Sequence, residues 1–155
     1  MTAKTVLFAS SLAVLAAGTV AYGAEPAAEP AIARTISDPA LQWGPCPDFI
    51  PKGCGLAVLH GDPAKPNVDV FLKVPAGTTL PNHKHTSVER MVLVAGELQV
   101  SYEGQAPMTA KTGTYLYGPA GKTHVATCAK GPDCVLFIAF QEPLDAIPVA
   151  QSAQK

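Results

Sequence analysis

The chain has 155 residues, one domain's worth, which excludes an enzyme with separate cofactor and substrate domains. Hydrophobic residues make up 48% and charged residues 15%, with Pro 15 and Gly 13, a balance that suits a turn-rich chain rather than a helical bundle. Lys and Arg number 11 against 12 for Asp and Glu, giving a net charge of -1 with no basic cluster, so neither nucleic acid nor a basic membrane-binding face is expected.

The first 23 residues read as a secretory signal peptide: Lys4, an apolar run from Val6 to Ala17, then small residues. Ala21 and Gly23 place small side chains three and one positions before a cut after Gly23, whereas a cut after Ala24 would put bulky Tyr22 at the third position. An uncleaved anchor is the alternative, but the strongly apolar core is shorter than the roughly 20 residues of a spanning helix. No stable membrane anchor is expected, and the site of action is periplasmic or extracellular. Residues 24–42 are rich in Ala and Pro with little periodicity and read as a mobile linker.

The folded domain is expected over residues 43–142. Short β-type runs separated by Gly, Pro, Asn and Asp turns predict strands at Gly55 to His60, Val68 to Val74, Val88 to Val94, Glu97 to Glu103, Thr114 to Tyr117, His124 to Cys128 and Cys134 to Phe140. Val68 to Val74 alternates, with Asp69, Phe71 and Lys73 on one face and four aliphatics on the other. Such a chain is all-β, a sandwich or barrel. Residues 143–155 return to Pro, Ala and Gln and are expected to form a flexible tail.

Four cysteines form two close pairs, Cys46 with Cys54 and Cys128 with Cys134. In an oxidising compartment these are expected as disulfides, the second opposed across a hairpin whose turn is Ala129 to Asp133. Closing the Cys46 to Cys54 loop adds about 2 to 3 kcal/mol in the chain-entropy account. A four-thiolate metal site is the rival, but the spacings lack the paired two-residue gaps of zinc ribbons.

The chemistry concentrates in three of the four histidines. His83 and His85 are one residue apart, so on an extended segment both rings point to one side, and Glu89 opens the next apolar run. Two imidazoles and a carboxylate on one side suit a divalent metal, with His124 as a fourth ligand if the strands fold back as neighbours. Glu89 has an alternative role as a non-ligating general base beside a three-histidine metal. His60 reads as a turn or surface histidine. Met91 and Leu93 share parity with Glu89 and are expected to line the interior. Tyr102, Tyr115, Tyr117 and Trp43 can meet a substrate, yet aromatics in a small β-domain usually belong to the core. No catalytic residue is singled out among them.

These residues sit in a longer pattern. Gly77, five residues, His83-Lys-His85, three residues, Glu89, six residues and Gly96 resemble the first signature of the cupin superfamily. Gly113, five residues, Pro119-Ala-Gly121, two residues and His124 resemble the second, with Cys128 standing where Asn is usual. The resemblance implies a single antiparallel β-barrel of jelly-roll type with one divalent transition metal inside, held by His83, His85, Glu89 and His124. It also implies a small-molecule substrate or ligand and a possible homodimer. Gly77 and Gly96 fall at strand ends, where a tight turn often needs positive φ, and Pro119 with Gly121 makes a rigid turn that aims His124.

Three histidines and a carboxylate suit Mn, Fe(II), Ni, Cu or Zn, and a site that fills outside the cytoplasm favours the tighter binders Cu and Zn. Two functions of different class follow. One is a metal-dependent enzyme of oxygenase, lyase or isomerase type acting on a small organic molecule. The other is a non-catalytic periplasmic protein that binds a metal or small ligand. A nucleophilic hydrolase is disfavoured, because no Gly-x-Ser-x-Gly elbow is present and the cysteines are assigned to pairs.

Overall fold

A computed structural model of the protein describes residues 28–150. The expected leader, with its cut after Gly23, lies outside the described residues, as do residues 151–155. The chain divides into two units between Ile32 and Ala33. Of the first, residues 28–32 are exposed and carry no regular element. Among the described residues, the second contains eleven strands and no helix. Nothing described is a helix long and apolar enough to cross a membrane.

The strands are β1 (Trp43–Pro45), β2 (Gly55–His60), β3 (Val68–Val74), β4 (Thr79–Lys84), β5 (Glu89–Ala95), β6 (Glu97–Tyr102), β7 (Met108–Lys111), β8 (Tyr115–Gly118), β9 (His124–Cys128), β10 (Cys134–Phe140) and β11 (Ile147–Pro148). They build two antiparallel sheets, one in the order β1-β2-β3-β10-β5-β8 and one in the order β11-β4-β9-β6-β7. All seven expected strands are present within a residue or so of their expected ends. No ladder joins one sheet to the other among the described residues, so the expected single barrel is here a sandwich of two sheets.

Alternation explains what each strand buries. In β3, Val68, Val70 and Val74 are fully buried between the sheets, while Phe71 points to the outer face. That outer face is not bare. Phe71 packs with Leu41, Ala57 and Val135, and Ile36 and Trp43 lie against the same cluster. The expected linker 24–42 is therefore packed from Ile36 onward, because its few apolar residues cover an apolar patch that the sheet would otherwise expose. Lys73, the next outward residue, carries its ammonium 4.7 Å from the Trp43 ring centre.

The strand that carries the first histidine was masked in the sequence by Pro81, which cannot donate to a ladder. Leu80 faces Ala126 and His83 faces His124, so β4 spends three steps where β9 spends two. This β-bulge resets the side-chain parity: Leu80 and His83, which strict alternation would send to opposite faces, are both buried. Directly opposed residues of an antiparallel pair share a face, so the bulge sets His83 beside His124.

The cysteines pair locally as expected, with Cα separations of 5.6 Å for Cys46–Cys54 and 5.7 Å for Cys128–Cys134. The setting of the second differs from the expected hairpin. β9 and β10 belong to different sheets, so the Cys128–Cys134 bridge ties one layer to the other. Gly96 is required beside it: its φ is 82°, and a Cβ there would lie 2.9 Å from Cys134 Sγ and from the Asp133 carbonyl oxygen. Gly77 likewise has a positive φ, 73°.

The expected flexible tail is also held down as far as residue 150. Leu144 N–H donates to the Pro63 carbonyl at 2.9 Å, Val149 N–H donates to the Asn82 carbonyl at 2.9 Å, and β11 extends the second sheet beside β4. Leu144 reaches the central core, which supplies the apolar anchor that composition alone did not reveal.

Candidate metal site

His83 and His124 arrive through the bulged ladder of β4 and β9, and His85 follows His83 on the same face two residues on. One ring nitrogen from each of the three lies within 4.8 Å of the others. Each ring is aimed by a backbone carbonyl. His83 Nδ1 bonds to the Pro81 carbonyl at 2.7 Å, His124 Nδ1 to the Lys122 carbonyl at 3.2 Å, and His85 Nδ1 to the Asp145 carbonyl. A carbonyl only accepts, so each Nδ1 carries the proton and each Nε2 keeps its lone pair. Fixing the tautomer from behind in this way is how metal-binding histidines are usually oriented.

Glu89 enters from the other sheet, at the start of β5. Its Oε1 lies 3.3 Å from His85 Nε2 and its Oε2 3.9 Å from His124 Nε2. It has room because its opposed partner on β8 is Gly118: a Cβ there would stand 3.3 Å from Glu89 Cβ and 2.8 Å from Oε2. The second motif is tied to the first by Gly121 N–H, which donates to the His85 carbonyl at 2.7 Å.

All four side chains are buried: His83 is 3% exposed, His85 8%, Glu89 4% and His124 6%. Burial shifts each toward its neutral form. It lowers His83, takes His85 down to about 4 against the opposing carbonyl of Asp145, and takes His124 down to about 3 with help from His83. Burial, and secondarily the charge of Asp145, raises Glu89 to about 8. The histidines are thus neutral at physiological pH, the form that binds metal, and the three together can hold a metal ion.

The site lies at one end of a cavity of about 60 Å³ between the sheets. Its walls are largely apolar, with Leu72, Met91, Leu116, Leu136, Ile138 and Phe140 among them. Met91 lines the cavity as expected, while Leu93 is fully buried in the core. One contributor was not foreseen in the sequence. Asp145 supplies the carbonyl behind His85, and its carboxylate accepts Thr86 N–H at 2.9 Å; nothing in a Pro- and Ala-rich tail signals this. Tyr102 belongs to the core, as expected of an aromatic here, and also lines the cavity, facing His124 across β6 and β9 with ring centres 4.9 Å apart. The parity of Leu98, Val100 and Tyr102, all buried on one face, was the available signal. Tyr115 and Tyr117 point outward, 59% and 52% exposed, and His60 is exposed and does not line the cavity.

The family profile of the ChrR cupin-like domain matches residues 33–143. The chain belongs to this cupin family. The match begins at the residue where the compact unit begins, ten residues before the expected start of the domain. None of the curated proteins compared with the chain matches it. Among solved structures, the chain is similar to an RmlC-like cupin protein from Ralstonia eutropha JMP134, with 25% identity over 66% of this chain and 64% of that one and a TM-score of 0.55. It is also similar in fold to a DMSP lyase from Ruegeria pomeroyi DSS-3, with 21% identity, coverage of 72% and 61%, and a TM-score of 0.60. A polyketide cyclase from Streptomyces resistomycificus gives 17% identity, coverage of 79% and 89%, and a TM-score of 0.62. The chain spans less than two thirds of the length of the first two.

Proposed function

We propose that this cupin is an exported metal-dependent enzyme that transforms a small organic molecule in the cavity between its sheets, by a reaction of oxygenase, lyase or isomerase type. In this reading the sandwich is the cupin jelly-roll barrel, and His83, His85, His124 and Glu89 hold one divalent transition metal. The observation that carries it is the orientation of the histidines: three Nδ1 atoms bonded to carbonyls leave three Nε2 lone pairs converging on one buried point beside an apolar cavity. When bound, the metal would supply Lewis-acid or redox chemistry. The chain's own contribution is to fix the ligands, exclude bulk water with Leu136, Ile138 and Phe140, and present Glu89 from the opposite sheet.

Export is supported by the leader-like sequence and by two cysteine pairs at disulfide distance, which an oxidising compartment maintains. The test is a screen of the metal-loaded protein against phenolics, diketones, organic acids and sugars, following oxygen uptake and product mass. Turnover that disappears in His124→Ala supports the enzyme. Tight metal retention with no turnover across the panel replaces it with a non-catalytic binding protein.

A further inference from the structure

Most residues that line the cavity lie on strands and are fixed by the ladders. Apart from His85, the lining residues outside the strands belong to two segments: Cys46, Pro47 and Ile50 on the loop between β1 and β2, and Leu144, Asp145 and Ala146 on the chain leading to β11. The two segments are held in different ways. The second is bonded to its surroundings at every turn: Leu144 N–H donates to the Pro63 carbonyl, the Asp145 carbonyl accepts from His85 Nδ1, the Asp145 carboxylate accepts Thr86 N–H, and β11 pairs with β4.

The loop has no such ties. The one backbone hydrogen bond of residues 46–54 is internal, from Ile50 N–H to the Pro47 carbonyl at 2.9 Å. What holds the loop is the Cys46–Cys54 disulfide, which joins its two ends, and apolar seating. Ile50 packs on the central core, and the Phe49 ring centre lies 6.1 Å from that of His83. Asp48 and Lys52 are exposed, so the loop is polar toward water and apolar toward the cavity, as a cover must be. A segment with few hydrogen bonds to its surroundings opens at a lower free energy than the ladders around it. A disulfide across so short a ring restricts how far it opens.

From this contrast we propose that the Cys46–Cys54 loop is the entrance of the cavity and Ile50 its plug. A small molecule reaches the three histidines by displacing Ile50, and the disulfide keeps that displacement small, which limits the size of what enters. The inference concerns access rather than coordination, so it goes beyond the metal reading and stands whether or not a metal is held.

The test labels the histidines of the whole protein, stripped of metal, with diethyl pyrocarbonate at neutral pH, and reads each ring by peptide mass spectrometry. The three Nε2 lone pairs are available to the reagent, so access limits their reaction. Exposed His60, which does not line the cavity, is the internal reference. Buried groups react through transient opening, at a rate that follows the population of the open form. In Cys46→Ser with Cys54→Ser, labelling of His83, His85 and His124 relative to His60 rises about tenfold over wild type. Ile50→Ala keeps both disulfides and raises the same ratio about threefold. Cys128→Ala with Cys134→Ala removes the other disulfide, which does not line the cavity, and leaves the ratio within about twofold of wild type. Unchanged labelling in Ile50→Ala, or in Cys46→Ser with Cys54→Ser, overturns the proposal. An equal rise in the two disulfide variants overturns it as well, because that is general loosening and not an entrance. Failure of the metal reading shows separately, as a wild type that takes up no metal, and leaves these labelling ratios as they are.

Discussion

The two ends of the interior are built from the same strands and do opposite things. At one end of β9, His124 meets His83, His85, Glu89 and Tyr102 beside a cavity; at the other, Cys128 is bonded to Cys134 with both residues fully buried. The dry end ties the two sheets together covalently, and the polar end is held by carbonyl bonds that only aim side chains. The contrast teaches that stability and chemistry are separated along a single strand, so the two ends should respond to different perturbations.

The largest expected effect breaks the dry end. Cys128→Ala with Cys134→Ala should cost about 2 to 4 kcal/mol of stability, read by denaturant unfolding, while the protein below its melting range still holds its metal. Metal lost in step with the disulfide would mean that the ends are not separate. A smaller effect is expected where the polar end is anchored. Ser87 is 1% exposed, and its Oγ accepts the N–H groups of Gln141 and Glu142 at 2.9 and 3.0 Å while donating to the Val88 carbonyl at 2.7 Å. It therefore steers the chain leaving β10 toward Asp145, which backs His85. Ser87→Ala leaves two amides unpaired and should cost about 1 to 3 kcal/mol, with metal affinity falling as well.

The smallest effect is in pH dependence, where opposing groups partly cancel. In the metal-free protein the histidines are lowered from 6.5, so their contribution is present above that value and is lost as pH falls toward about 4 for His85 and about 3 for His124. Glu89 is raised from 4.5, so its contribution is present below that value and is lost as pH rises through about 8. Three histidines outnumber the one carboxylate, so metal-free melting temperature should still rise between these two ordinary values and peak near or just above that of histidine, and metal should move the optimum upward by stabilising ionised Glu89. An optimum that ignores metal would place Glu89 outside the coordination sphere.

Much of this contrast was legible in the sequence. Seven strands followed from β-rich runs and turn residues, and the four proposed ligands followed from two signatures, within which strand parity sets the one-residue spacing of His83 and His85. What escaped detection depended on tertiary placement. Pro81 disguised β4, yet the bulge it sits in is what aligns His83 with His124. The turn between Cys128 and Cys134 read as a hairpin because local spacing cannot distinguish two strands of one sheet from strands in facing sheets. Ile36, Leu41 and Leu144 are isolated apolar residues in polar or Pro-rich stretches, and only the surfaces they cover give them meaning.

The central claim is that the polar end holds a metal through the aligned histidines. Elemental analysis of the natively purified protein beside His83→Ala tests it most directly. The account gives about one equivalent of a divalent transition metal in wild type and loss of most of it in the variant. Less than about a tenth of an equivalent in wild type, with the variant unchanged, would contradict it.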